Sequence, residues 1–169
     1  HLQGIDNELI IDYTEYTMPN DKHPIHRYPI RFDGLYIGLR EKGKARFSIN
    51  LKEFEVGAND LVICSPDDLV QATLQNDNHL VQSMVVSSHF LKEMYISLNS
   101  FMPFFAARKD HPVFHLTDDE VKELKSYFML IKENVVSDDY FRLDTTKRLL
   151  AAYLYKLGSI LYRHRPELQ

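Results

Sequence analysis

Residues 32–68 read FDGLYIGLREKGKARFSINLKEFEVGANDLVICSPDD, and this stretch decides the fold. Three short apolar-rich runs are joined by turn chemistry. Glu41-Lys42-Gly43-Lys44 forms a glycine turn, residues 50–53 form a polar corner, and Gly57-Ala58-Asn59-Asp60 forms a tight corner. Pro66 closes the third run. Short strands with a turn signal at each joint predict a sandwich or a barrel.

Working outward, the pattern divides in two. From Glu8 to Val86 the runs have a period of two, clearest in Leu80-Val81-Gln82-Ser83-Met84-Val85-Val86. Both faces of these runs carry apolar groups, as expected where one face lines an interior and the other is covered. From Ser87 onward the period is helical. Ser87-Ser88 can cap a short helix through Leu98, and Pro103 interrupts the helical pattern beyond it. Thr117-Asp118-Asp119-Glu120 is a capping box that opens a helix with Val121, Leu124, Phe128, Ile131 and Val135 along one seam. Ser137-Asp138-Asp139 reads as a break and a second cap. A last helix spans about Tyr140 to Arg163, with Leu143, Leu150, Leu154, Leu157 and Leu161 on one side. The short connection makes the two helices antiparallel neighbours. The expected organisation is a barrel over residues 1–86 and a helical part over 87–169, packed as one unit.

Composition sets bounds. A chain of 169 residues can bury about 70% of its unfolded surface, enough for a real core. No apolar run approaches the roughly 20 residues of a membrane span, and no signal peptide is visible, so a cytoplasmic setting with no membrane contact is expected. Cys64 is the single cysteine and lies in an apolar run, where an inert buried thiol is the expectation. Residues 1–139 hold 14 basic and 22 acidic side chains, which would repel a phosphate backbone. Residues 140–169 hold 6 basic and 2 acidic side chains, read as a solvated helix face.

The order of these parts carries a resemblance. A strand, a Lys-Gly turn, a corner, GANDLVICSP at 57–66, further strands, Ser87-x-x-Phe90, and HPVFHLTDDEVKEL at 111–124 lead into two helices. Over about residues 8–165 this is similar to the N-terminal cupin-type sensor domain of AraC/XylS-family transcriptional regulators, particularly the Bacteroides-type ones. The resemblance implies an α+β chain: a cupin-like barrel (double-stranded β-helix or jelly roll) followed by two long antiparallel helices. It implies a small-molecule effector, a homodimer, and DNA contact through a C-terminal helix-turn-helix domain. That domain has no counterpart here, so the tail after Arg163 reads as the start of a linker.

The wider cupin superfamily contains metal enzymes. Counted from Gly43, the glutamate position is Tyr36, and the histidine positions are Ile30 and Phe32, or Pro29 and Arg31 in the other spacing. Past Pro66 the last histidine position is Val70. These side chains do not form a divalent metal set, so neither a metal nor another cofactor is expected. The close pairs His23/His26 and His111/His115 each enclose a proline, and no phosphate loop, CxxC or GxSxG is present.

The same positions serve as pocket candidates. Tyr28, Ile30, Phe32 and Tyr36 share the inward parity, with Arg40 at a rim. Gln82 and Met84 match where sugar-responsive relatives place ligand-contacting side chains, and Ala72 matches more loosely. The expected ligand-binding set is Tyr28, Phe32, Tyr36, Arg40, Gln82 and Met84, suited to a sugar or an aromatic metabolite. A barrel packed with its own side chains is the competing expectation. The expected dimer interface is Val121, Leu124, Phe128, Ile131, Leu150, Leu154, Leu157 and Leu161, against the alternative that this surface is internal core. No catalytic residue is expected. The other readings are a metal-independent isomerase and an interaction domain without an effector.

Overall fold

The computed structural model describes residues 3–5, 8–16, 29–31, 33–75, 78–94 and 112–164. Among the described residues, ten strands form two antiparallel sheets. They are β1 (Gln3–Ile5), β2 (Leu9–Tyr16), β3 (Ile30–Arg31), β4 (Gly34–Lys42), β5 (Ala45–Ile49), β6 (Lys52–Val56), β7 (Asp60–Cys64), β8 (Leu69–Leu74), β9 (His79–Ser87) and β10 (Val113–His115). The larger sheet runs β1-β2-β9-β4-β7-β10 and the smaller β3-β8-β5-β6. The helices are α1 (Ser88–Glu93), α2 (Asp118–Val135) and α3 (Arg142–Arg163). The chain is α+β, with a cupin-like double-stranded β-helix barrel and two long C-terminal helices. Among the described residues no helix is long and apolar enough to cross a membrane.

The burial pattern explains the layers. Seven consecutive residues of β4, Gly34 to Arg40, are buried, because one face lines the barrel and the other meets the helices. β5 instead alternates, with Ala45, Phe47 and Ile49 buried and Arg46 exposed beside Glu53 and Glu55. Its outer face therefore meets water. Two cores result. Tyr36, Ala45, Phe47, Ile49, Val56, Val62, Cys64, Val70 and Ala72 fill the space between the sheets. Leu35, Ile37, Leu39, Met84 and Val86 point the other way and pack with Phe90, Phe128, Tyr153 and the leucines of α3.

The helix starts differ. Thr117 Oγ1 accepts the Glu120 amide while Glu120 Oε1 accepts the Thr117 amide, the reciprocal bonding of a capping box. Ser87 caps α1 by accepting the Phe90 amide, but α1 ends at Glu93, and the expected continuation to Leu98 lies outside the described residues. The expected second cap at residues 137–139 is not a side-chain cap. Ser137 donates back to the Asn134 carbonyl, and α3 opens after Phe141 without a capping side chain. The part after Ser87 also returns a strand, β10, to the edge of the larger sheet beside β7.

Candidate functional site

The site is the space between the sheets. β4 pairs with β9 so that Tyr36 faces Val85, Gly38 faces Ser83 and Arg40 faces Val81. Tyr36 tilts against Phe47 with ring centroids 6.3 Å apart. Its phenol occupies room that Gly38 leaves, since a β-carbon at Gly38 would lie 2.6 Å from the Tyr36 hydroxyl oxygen. A cavity of about 10 Å³ remains, bordered by Tyr36, Arg40, Phe47, Asp60 and Val81, room for about one water. Among the described residues, this interior is filled mainly by its own side chains.

A buried cation lies at one end. Arg40 is 5% exposed, and its Nη1 lies 2.7 Å from Nδ1 of the fully buried His79. A guanidinium has donors alone, so His79 Nδ1 accepts and its ring proton is on Nε2. The Lys42 carbonyl accepts a longer bond from the same nitrogen at 3.4 Å. Gly43 makes the arrangement fit. Its φ is +90°, and a β-carbon there would lie 2.5 Å from His79 Nδ1.

The wall between barrel and helices carries a second polar set. The β4–β9 register shifts between Arg40 and Lys42. Glu41 at the shift accepts from Gln82 Nε2 at 3.3 Å and pairs with Lys125 of α2 at 3.1 Å. Gln82 is 1% exposed, and its Oε1 has no hydrogen-bond partner among the described residues.

These placements correct part of the sequence reading. Tyr36 and Arg40 do border the interior, and Ile30, Val70 and Ala72 belong to or pack on the same cluster. Tyr28 and Phe32 lie outside the described residues. Gln82 and Met84 do not face the barrel. They pair with Leu39 and Ile37, whose side chains belong to the helix-facing core. A one-residue difference in parity turns every side chain of a strand to the other face. The inward residues of β9 are Val81, Ser83 and Val85. His79 and Asp60, which the parity count did not offer, both come close to the interior. Asp60 is engaged by the Gly57 amide at 2.8 Å and by His115 at 2.8 Å.

The eight expected dimer residues are corrected as well. Val121, Leu124, Phe128, Ile131, Leu150, Leu154, Leu157 and Leu161 are all buried inside the chain, Val121 being the most exposed at 7%. Apolar spacing marked the correct seams, but the sheet and the neighbouring helix cover them. The basic C-terminal residues are also largely used within the chain. Lys147 pairs with Glu93, Lys156 with Glu123, and Arg163 with Glu120 and Glu123, while Arg142 donates to the Val135 carbonyl at the end of α2.

Buried groups shift as their surroundings dictate. Desolvation pushes the Cys64 thiol well up, so it stays an inert thiol. Burial alone would raise the Glu120 carboxyl, but the Thr117 amide and His164, 2.9 Å away, outweigh it and hold it low. Among the described residues no three His, Cys, Asp or Glu side chains gather as a metal site.

No protein-family model matches the sequence, and no curated protein matches it. Solved structures match in fold. The chain is similar to the AraC-like transcriptional activator CuxR, with a TM-score of 0.55 and 13% identity, over 95% of this chain and 55% of that one. It is also similar to apo ToxT from Vibrio cholerae, with a TM-score of 0.49 and 10% identity, over 90% of this chain and 56% of that one. A cupin 2 conserved barrel domain protein from Leptotrichia buccalis matches with a TM-score of 0.42 and 10% identity, over 52% of this chain and 39% of that one. The chain thus spans 55% of CuxR and 56% of ToxT, little more than half of either protein.

Proposed function

We propose that this chain is the effector-sensing and dimerising part of an AraC-type transcriptional regulator, acting in the cytoplasm on DNA through a separate domain. The observation that supports this best is the joining of barrel and helical hairpin in one fold, shared over 95% of the chain with an AraC-like activator. The effector is a sugar or an aromatic metabolite, held by Tyr36 and Phe47 faces with Arg40 as the polar anchor. The interior holds about one water, so binding must displace side chains, Tyr36 first, because its ring borders the cavity and rests in the space that Gly38 leaves.

Thermal denaturation against a panel of sugars and aromatic metabolites tests this reading. An effector at a hundred times its dissociation constant adds about 2.7 kcal/mol of stability. That gain is expected to vanish in Arg40→Met and to fall in Gly38→Ala. Specific DNA binding by residues 1–169 alone at physiological salt would contradict the division of labour.

The cavity of about 10 Å³ favours a second reading, an interaction domain without an effector. A folded protein that no compound of the panel stabilises would support it. The metal-independent isomerase reading would need His79 or Asp60 to move a proton on a bound substrate. Turnover lost in His79→Gln with binding retained would support that alternative.

A further inference from the structure

Exposed apolar side chains gather at one end of the helical hairpin. Among the described residues, nine large hydrophobic side chains are exposed, and five of them fall within residues 130–143. They are Leu130 late in α2, Val136, Tyr140 and Phe141 around the turn, and Leu143 in the first turn of α3. Tyr140 is 93% exposed, and it meets Phe141 edge to face with ring centroids 4.8 Å apart. Scattered exposed hydrophobics need no explanation, but a group gathered at one place marks an interaction site. The turn beneath the group is fixed. Asn134 Nδ2 donates to the Arg142 carbonyl at 2.9 Å and to Thr146 Oγ1 at 2.7 Å. Arg142 Nη1 donates to the Val135 carbonyl at 2.7 Å, and the Ser137 hydroxyl donates to the Asn134 carbonyl at 2.9 Å. A surface held this way already has its docking shape, so little ordering entropy opposes a partner.

Charge restricts what can dock there. Glu133, Asp138, Asp139 and Asp144 are exposed in the same stretch. Its basic side chains are Lys132, half-buried, and Arg142, committed to the Val135 carbonyl. A phosphate backbone or an anionic lipid surface would meet four carboxylates. Two-fold pairing of this tip with itself would set those carboxylates against their own copies. We infer that the tip of the hairpin docks a different protein, through a helical segment with one apolar face and a lysine- or arginine-rich flank. Tyr140 and Phe141 are the anchors, since aromatic side chains carry much of the energy of such contacts. The four carboxylates form the polar rim, which steers the basic flank and fixes its register. The mode is an amphipathic helix laid on an apolar surface. The inference does not rest on the effector-sensing reading, because none of these residues borders the barrel interior.

The test uses the full chain and a synthetic amphipathic helix of leucine and lysine, with leucines at i, i+3, i+4 and i+7. Fluorescence anisotropy at physiological salt should show that this peptide binds and that a leucine–glutamate peptide of the same pattern does not. Tyr140→Ser with Phe141→Ser should weaken binding at least about tenfold. Asp138→Lys with Asp139→Lys should weaken it by a similar factor and flatten its salt dependence. Glu53→Lys with Glu55→Lys makes the same change of net charge on β6, and should leave binding within about twofold. Thermal melts establish that each variant is folded. No binding by the wild-type chain, binding that survives Tyr140→Ser with Phe141→Ser, equal binding of the leucine–glutamate peptide, or equal losses from the two lysine pairs would each overturn the proposal. Self-association in sedimentation that Tyr140→Ser with Phe141→Ser abolishes would overturn it in favour of a second copy. Adsorption to phosphatidylglycerol vesicles abolished by the same pair would overturn it in favour of a lipid surface.

Discussion

Leu51 holds a backbone conformation that suits glycine. It follows Asn50 in the turn that the Ile49–Lys52 pair closes, with φ values of 51° at Asn50 and 70° at Leu51. A two-residue turn of this shape favours Asn-Gly, and Leu51 is 79% exposed, so it gains little burial in return. Leu51→Gly should therefore stabilise the chain by about 0.5–1 kcal/mol, the relieved strain less the entropy that glycine loses on folding, read as a higher denaturation midpoint. Gly43 predicts the opposite. Gly43→Ala meets a left-handed φ and the buried His79 ring together, and should cost about 1–3 kcal/mol by disturbing the Arg40–His79 bond. Turn glycines of this kind are legible in a sequence. The histidine packed under one of them is not, because Gly43 and His79 are thirty-six positions apart and no local pattern links them.

At the scale of elements, the most instructive case is β9. Its alternation identified a strand, yet the faces were assigned in reverse. An alternating strand with apolar groups on both sides gives no local sign of which side is the barrel, and the positional match to sugar-responsive relatives selected Gln82 and Met84 on the helix-facing side. Met84 consequently belongs to the helix-facing core. Met84→Ala should cost about 2–4 kcal/mol in chemical denaturation while leaving effector affinity unchanged. The capping box of α2 was legible because its partners are three residues apart. The structure adds that Glu120 also receives His164 at 2.9 Å and Arg163 at 3.5 Å, tying the end of α3 to the start of α2. The Glu120 carboxyl is held below its unfolded value, so its contribution is full above the ordinary carboxylate range and is lost as pH falls through the lowered value. Glu120→Gln should cost about 1–3 kcal/mol at neutral pH, and the difference from wild type should shrink as the pH is lowered into that range. A pH-independent difference would mean that the charge of Glu120 contributes nothing.

The whole molecule is two cores separated by one shared sheet. The barrel and the helical hairpin were both legible as periods in the sequence, but their relation was not. Heptad leucines look alike whether they face a sheet, a sister helix or a second chain, and here the sheet and sister helix take all of them except Leu143, which is 47% exposed. β10 was missed because three residues are too short for a period to register. The interior was partly legible: Tyr36 and Arg40 were found, whereas His79 and Asp60 come from strands whose inward register depends on pairing across the sheet. Because neighbouring residues of β4 face different cores, a shift of the β4 backbone at Tyr36 would move Leu35 and Ile37 against the helices.

The position of β9 between β2 and β4 sets an order of events during synthesis. The chain emerges from its N-terminus, so β2 and β4 leave the ribosome well before the strand that joins them. Until residue 87 is clear, β2 has β1 on one side and β4 has β7, but the edges that face β9 are unpaired, and Leu9, Ile11, Leu35 and Ile37 lie in two separate pieces of sheet. Exposed edges and apolar surface of this kind are where misassociation begins. Joining of the two pieces of the larger sheet therefore waits for β9, and a nascent chain that ends before β9 leaves both of those edges open.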